Sequence, residues 1–313
     1  MADFEDDSSL LALLLDVSPA ALSCLASTPG LGLQSLLEQL LTFVNTFLLL
    51  NDANRLAVFT AGAAGCQLAY CSSSCLPPAV AGPAAVADAA WPPSASVLSG
   101  LQQAVTAVAQ AATAAGVPPA AGAACQLSSA LSRALCFINS QQRRTATALP
   151  GGGPLPEGPD AGGGGGGAGP GQRAQAARVL VLAAAPDAPS QYIAVMNAIF
   201  SSQRSNVIID ACHLGQGHSA FLQQAAHLTG GVYLRPTKPQ ALVQYLNSVF
   251  TLDAGTRALL RLPGAAQVDF RPSCFCHKRQ IDLGFVCSAC LSIFCEQLPA
   301  CTTCGTEFEG KQK

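Results

Sequence analysis

Seven cysteines crowd into residues 274–304, in the order Cys274-x-Cys276-x10-Cys287-x2-Cys290-x4-Cys295-x5-Cys301-x2-Cys304, with His277 beside the first pair. A Cys-x2-Cys step lets one backbone knuckle aim two thiolates at a single tetrahedral ion, with its own amides bonding the sulfurs. The knuckles Cys287/Cys290 and Cys301/Cys304 make one complete four-sulfur set. Cys274/Cys276 joined to Cys287/Cys290 make a competing one. If two ions bind in a crossed arrangement, Cys274, Cys276 and Cys295, with His277, complete the second site. Spacing alone does not choose among these pairings. The density of soft ligands points to Zn²⁺. A disulfide cluster needs an oxidising compartment, and the acidic start Met1–Asp7 lacks the basic region of an export signal, so the expectation is an intracellular chain with reduced thiols.

A site closed by four protein ligands holds shape and does no chemistry. The segment's apolar residues, among them Phe275, Ile281, Leu283 and Leu291, are too few to fold unaided, so metal binding supplies the folding free energy. Phe285, Val286, Ile293 and Phe294 exceed what so small a core can hide, and some of them are expected to face the rest of the chain or a partner.

Upstream, apolar runs alternate with helical patterns. Leu10–Val17 is continuous enough for a strand buried on both faces, and it ends in a turn at Asp16-Val17-Ser18-Pro19. Leu36, Leu37, Leu40, Leu41, Val44, Phe47 and Leu48 follow at helical spacing. Arg55–Thr60 reads as a second strand and Cys66–Tyr70 as its hairpin partner. Residues 76–95 read as a Pro- and Ala-rich loop. Helical patterns run over Val97–Ala112 and from Leu127 past Ile138. Then come strands at Arg178–Ala185, Asn206–Ala211 and Val232–Leu234, with helices at Tyr192–Phe200, Phe221–Leu228 and Pro239–Phe250. Five parallel-type strands and one hairpin strand predict an α/β fold: a doubly wound, mostly parallel sheet of the Rossmann-like or von Willebrand factor A-like kind. Residues 1–262 are assigned to this domain, interrupted by a Gly-rich insertion at 150–172, and residues 263–313 to the cysteine-rich module.

Sheets of this kind bind ligands beyond the carboxyl ends of their strands. Asp16 stands there in an Asp-x-Ser-x-Ala pattern. The von Willebrand factor A family holds a hard divalent cation on Asp-x-Ser-x-Ser and distant oxygen ligands. Here Ala20 replaces the second serine and cannot coordinate. Asp16, Ser18 and a distant Asp187 make an incomplete set, and the expectation is a turn held by Asp and Ser hydrogen bonds.

Other enzyme signatures are missing. The glycine run is not followed by Gly-Lys-Ser/Thr, which excludes a P-loop, and no Gly-x-Ser-x-Gly occurs. His213 and His218 fall in HLGQGH with no paired acid and, with His227, read as surface residues. Cys212 reads as core, and the scattered Cys24, Cys66, Cys71, Cys75, Cys125 and Cys136 read mostly as small core residues. A net charge of -2 gives no general attraction to nucleic acid or anionic membrane. The apolar run Leu36–Leu50 carries Glu38, Gln39, Asn45 and Thr46 and is too short and polar for a membrane span.

The run CFCHKRQIDLGFVCSACLSIFCEQLPACTTCGTEF resembles the zinc module of the 34-kDa subunits of the general transcription and repair factor TFIIH. MNAIFSSQRSNVIIDAC and LQQAAHLTGGVYL resemble the second half of their von Willebrand factor A-like domain. The resemblance covers nearly the whole chain, the Gly-rich insertion apart. It implies a nuclear, non-enzymatic core subunit that pairs with the 44-kDa subunit, in a complex that opens promoter DNA for RNA polymerase II and damaged DNA in nucleotide excision repair. It maps the family's four-cysteine finger onto Cys274, Cys276, Cys287 and Cys290. It does not restore the cation site lost at Ala20. Crossed cysteine pairs also fit a RING-type ubiquitin ligase, but the first pair is Cys-x-Cys. Direct nucleic-acid binding is not expected. Arg271, Lys278, Arg279, Lys311 and Lys313 are balanced by Asp269, Asp282, Glu296, Glu307 and Glu309, which leaves no phosphate-tracking stripe.

Overall fold

From Leu10 to Leu15 no side chain is polar, and in the computed structural model strand β1 (Ser9–Asp16) is buried along its whole length. The structure describes residues 9–62, 65–72, 75, 95–103, 106, 125–148, 176–262, 271, 274, 276–277, 281–289, 292–302 and 304–308. Strand β2 (Arg55–Gly62) and strand β4 (Ala176–Ala183) flank β1 in parallel. Strand β3 (Gly65–Cys71) folds back on β2 as the antiparallel edge. Strands β5 (Ile208–His213) and β6 (Tyr233–Leu234) extend the other side in parallel. The order β3-β2-β1-β4-β5-β6 is the expected doubly wound, von Willebrand factor A-like sheet, with five parallel strands and one hairpin strand.

Two groups of helices cover the sheet. On one side lie α1 (Pro19–Ser27), α2 (Leu33–Leu50) and α6 (Leu242–Tyr245). On the other lie α3 (Leu127–Ala148), α4 (Tyr192–Arg204) and α5 (Ala220–Thr229). By length and composition α2 could cross a membrane, but Leu36, Leu40, Phe43, Val44 and Phe47 recur at helical spacing and sit in the core. After Pro239 a 3₁₀ turn leads into α6, which ends in a π-helical turn, Leu246–Phe250. The loop expected at 76–95 lies almost wholly outside the described residues, and the insertion at 150–172 lies entirely outside them.

Two expectations need correction. The link after β1 is held by Asp16 and Ser18 as expected, but Pro19 already opens a helix, α1, that the sequence reading did not place: Ser18 is its N-cap, accepting from the Ala21 amide at 3.2 Å. His213 is the last residue of β5 and only 3% exposed, because the strand runs two residues further than its apolar pattern suggested. His218 and His227 are exposed and Cys212 is buried, as expected.

The TGGVYL stretch has a geometric reason at each of its first three residues. The Thr229 hydroxyl accepts from the Ile209 amide at 2.9 Å. Gly230 ends α5 with φ 72°, the left-handed cap that glycine adopts without strain. Gly231 passes so close to β5 that a Cβ there would stand 2.1 Å from the Ile209 carbonyl oxygen. Nearby, the fully buried Asp210 carboxylate accepts from the Val232 amide at 2.9 Å and from both terminal nitrogens of Arg257 at 2.9 and 2.6 Å. Arg178 stands 3.8 Å away and donates to the carbonyls of Phe250 and Leu252. Burial, and then the Arg257 charge, pull the Arg178 pKa down to about 10. This cluster fastens the short helix α7 (Ala254–Leu259) to the sheet, and Leu262 packs against the same core.

The C-terminal segment carries a small antiparallel hairpin, β7 (Phe285–Val286) and β8 (Ile293–Phe294), pairing Phe285 with Phe294. Phe294 is buried against Cys287 and Cys301 and meets Phe308 edge-on at 6.4 Å.

Candidate metal centre and the strand-end site

At the carboxyl end of β1, both Asp16 oxygens are occupied by the protein's own amides. Oδ1 accepts from Ser18 N at 3.0 Å, and Oδ2 from Ala185 N at 3.1 Å and Ala184 N at 3.4 Å. Asp187 is turned to a different use. Its oxygens accept from the Ser219 hydroxyl and from the Phe221 amide at 3.1 Å, which places its charge at the N-terminus of α5. Burial nevertheless raises its pKa, with those hydrogen bonds working the other way. Cys125 joins the same pocket, its thiol aimed at the Ala61 carbonyl oxygen. Burial pushes that thiol far above its ordinary range, and the Asp16 charge adds to the effect. The cavity among these groups is about 20 Å³, room for a single water. Asp16, Ser18 and Asp187 thus act as hydrogen-bonding groups of a strand end and two helix starts.

The cysteines and His277 lie elsewhere, around the hairpin. Cys274, Cys276, His277 and Cys295 bring one ligand atom each to within 4.8 Å of one another. Cys287, Cys301 and Cys304 form a second such group. The Cys276–Cys295 sulfur separation is 3.4 Å, and Cys287–Cys304 is 3.7 Å. Two thiolates on one tetrahedral zinc, with bonds of ~2.3 Å, stand about 3.8 Å apart. The donor types and spacings therefore fit Zn²⁺. Cys290 lies outside the described residues.

The four-ligand set that the resemblance implies, with Cys287 joining Cys274 and Cys276, is not brought together. The reason is the hairpin. Cys287 follows β7 at the turn end, where its amide bonds the Ser292 carbonyl at 2.9 Å, whereas Cys295 follows β8 at the open end. Three residues of strand separate those levels, roughly 10 Å. Sequence reasoning also overlooked Glu296, whose Oε1 stands 3.8 Å from Nε2 of His277. Its only signal was its place next to Cys295.

With the sheet and the two ligand groups in view, similarity to known proteins is consistent along the chain. A family model described as transcription factor Tfb4 matches residues 8–305. The Arabidopsis thaliana general transcription and DNA repair factor IIH subunit TFB4 is 38% identical, over 97% of this chain and 90% of that protein. Its Schizosaccharomyces pombe counterpart is 32% identical, over 98% of this chain and 91% of that protein. Among solved structures, the TFIIH p34 N-terminal domain superposes with a TM-score of 0.56 at 26% identity, covering 77% of this chain and 97% of that domain. The chain belongs to the Tfb4 family of TFIIH subunits.

Proposed function

We propose that this chain is a non-catalytic structural subunit of the TFIIH core complex, acting in the nucleus in RNA polymerase II initiation and nucleotide excision repair by docking to the 44-kDa subunit. The observation that carries this reading is the family match over residues 8–305, which takes in the sheet and the cysteine module together. The self-satisfied strand end supports a docking role for the sheet, since its carboxylates are already bonded to backbone and hydroxyl donors. The apolar surface of the module supports it further. Leu283, Phe285 and Val286 are 89%, 52% and 57% exposed, next to one another in the chain. The proposed division is a von Willebrand factor A-like domain over 1–262 and a zinc module over 263–313. The zinc ligands are drawn from Cys274, Cys276, Cys287, Cys290, Cys301 and Cys304, with Cys295 and His277.

Capture from nuclear extract tests this reading. The full-length tagged chain should recover the 44-kDa subunit and other core subunits and show no ATPase activity alone. Recovery of no TFIIH component would exclude the assignment. Phe285→Asp combined with Val286→Asp should weaken that capture at least tenfold while zinc content, read by metal analysis, stays at the wild-type value.

A further inference from the structure

We infer that the module carries a mixed-ligand zinc ion on Cys274, Cys276, Cys295 and His277, separate from the ion held by the Cys287 group. This rests on the zinc-binding reading of the module.

Four observations converge. Cys274, Cys276 and His277 present three donors within four residues, and Cys295 closes the set from the open end of the hairpin. His277 Nδ1 is 3.1 Å from the Cys295 sulfur, so one ring nitrogen already faces the thiolates. The other, Nε2, stands 3.8 Å from the Glu296 carboxylate, a small side-chain movement short of a hydrogen bond. A carboxylate behind the imidazole is the usual partner of a metal-bound histidine, because it fixes the tautomer and strengthens the nitrogen as a donor. Cys274 is 1% exposed, as befits a thiolate inside a closed coordination sphere.

The roughly 10 Å of hairpin between Cys295 and Cys287 keeps the two ligand groups from sharing one ion. In chain order the first and third ligand clusters meet, and so do the second and the fourth. Each ion would therefore clamp a segment that the other leaves loose, and the short hairpin would be held from both ends.

Native mass spectrometry of the full chain, purified under reducing conditions, provides the test. The expected mass carries two zinc ions and no disulfide. A single ion would overturn the arrangement of two separate ions and leave the zinc reading of the module standing, whereas no ion would overturn that reading itself. In the metal-stripped chain, a mass lighter by two hydrogens together with a peptide linking Cys276 to Cys295 would show a disulfide and likewise overturn the mixed site. His277→Ala should weaken one of the two ions at least tenfold and His277→Cys should restore it. With cobalt in place of zinc, His277→Cys should shift the ligand-field bands to longer wavelength, toward the four-thiolate pattern. Two ions of undiminished affinity in His277→Ala would remove His277 as a ligand. Glu296→Gln should weaken the same ion about 10–100-fold and leave the other untouched, and unchanged affinity would refute the carboxylate's part.

Discussion

With its oxygens taken by the amides of Ser18, Ala184 and Ala185, Asp16 has become part of the backbone's own hydrogen bonding. Replacing it by Ala would strand buried N–H donors, and unfolding titrations of Asp16→Ala should show a loss on the order of 3 kcal/mol. Adding Mg²⁺ to the wild-type chain should leave its melting temperature unchanged. His213 gives a second prediction. Burial, then the charges of Arg235 and His218, lower its pKa from 6.5 to about 4. Below pH 6.5 the unfolded chain takes the proton first, so stability should fall as pH drops from 6.5 towards 4, by about 3 kcal/mol in all. Urea midpoints measured across that range should slope in the wild type, and the slope should flatten in His213→Gln.

The strands were legible because β1, β2 and β4 lie inside the sheet with both faces covered, and a strand so placed must be apolar at nearly every position. Where boundaries were misjudged, a polar residue had a structural partner invisible in one dimension. Ser18 reads equally well as a turn residue or a helix cap until the Ala21 amide is seen at its hydroxyl. The same holds for Arg178, which looks like the polar start of a strand and is in fact buried beside Asp210 and Arg257. That cluster predicts a steep mutational cost. Arg257→Leu leaves the Asp210 charge buried without its bidentate partner and should destabilise the sheet by about 3–5 kcal/mol in denaturant titrations. Gly231→Ala should also be severe, since its Cβ would meet the backbone of β5 rather than a movable side chain. That the cysteines would gather into groups able to hold a metal was readable from spacing. Which cysteines meet was not, because spacing says nothing of which end of the hairpin each one occupies.

At the scale of the whole chain, two kinds of stability sit side by side. The sheet is held by a large apolar core that includes Leu10 to Leu15, Phe43, Phe47, Phe59 and Phe250. Around the hairpin the buried cluster among the described residues is Cys287, Phe294 and Cys301, with a few half-buried neighbours. Cys287→Ser should therefore unfold the module and lower zinc content by at least one ion, while hydrogen exchange in β1, β4 and β5 stays at the wild-type rate. The anchor at Arg257 and Leu262 also sets a geometric limit. Twelve peptide steps lead from Leu262, the last core-packed residue of the first segment, to Cys274. Even drawn taut they span no more than about 40 Å. Cys274 can thus never leave a sphere of that radius centred on Leu262. A single partner gripping both ends must place its two contact sites within that leash, and an assembly that holds them farther apart would have to pull α7 off the sheet.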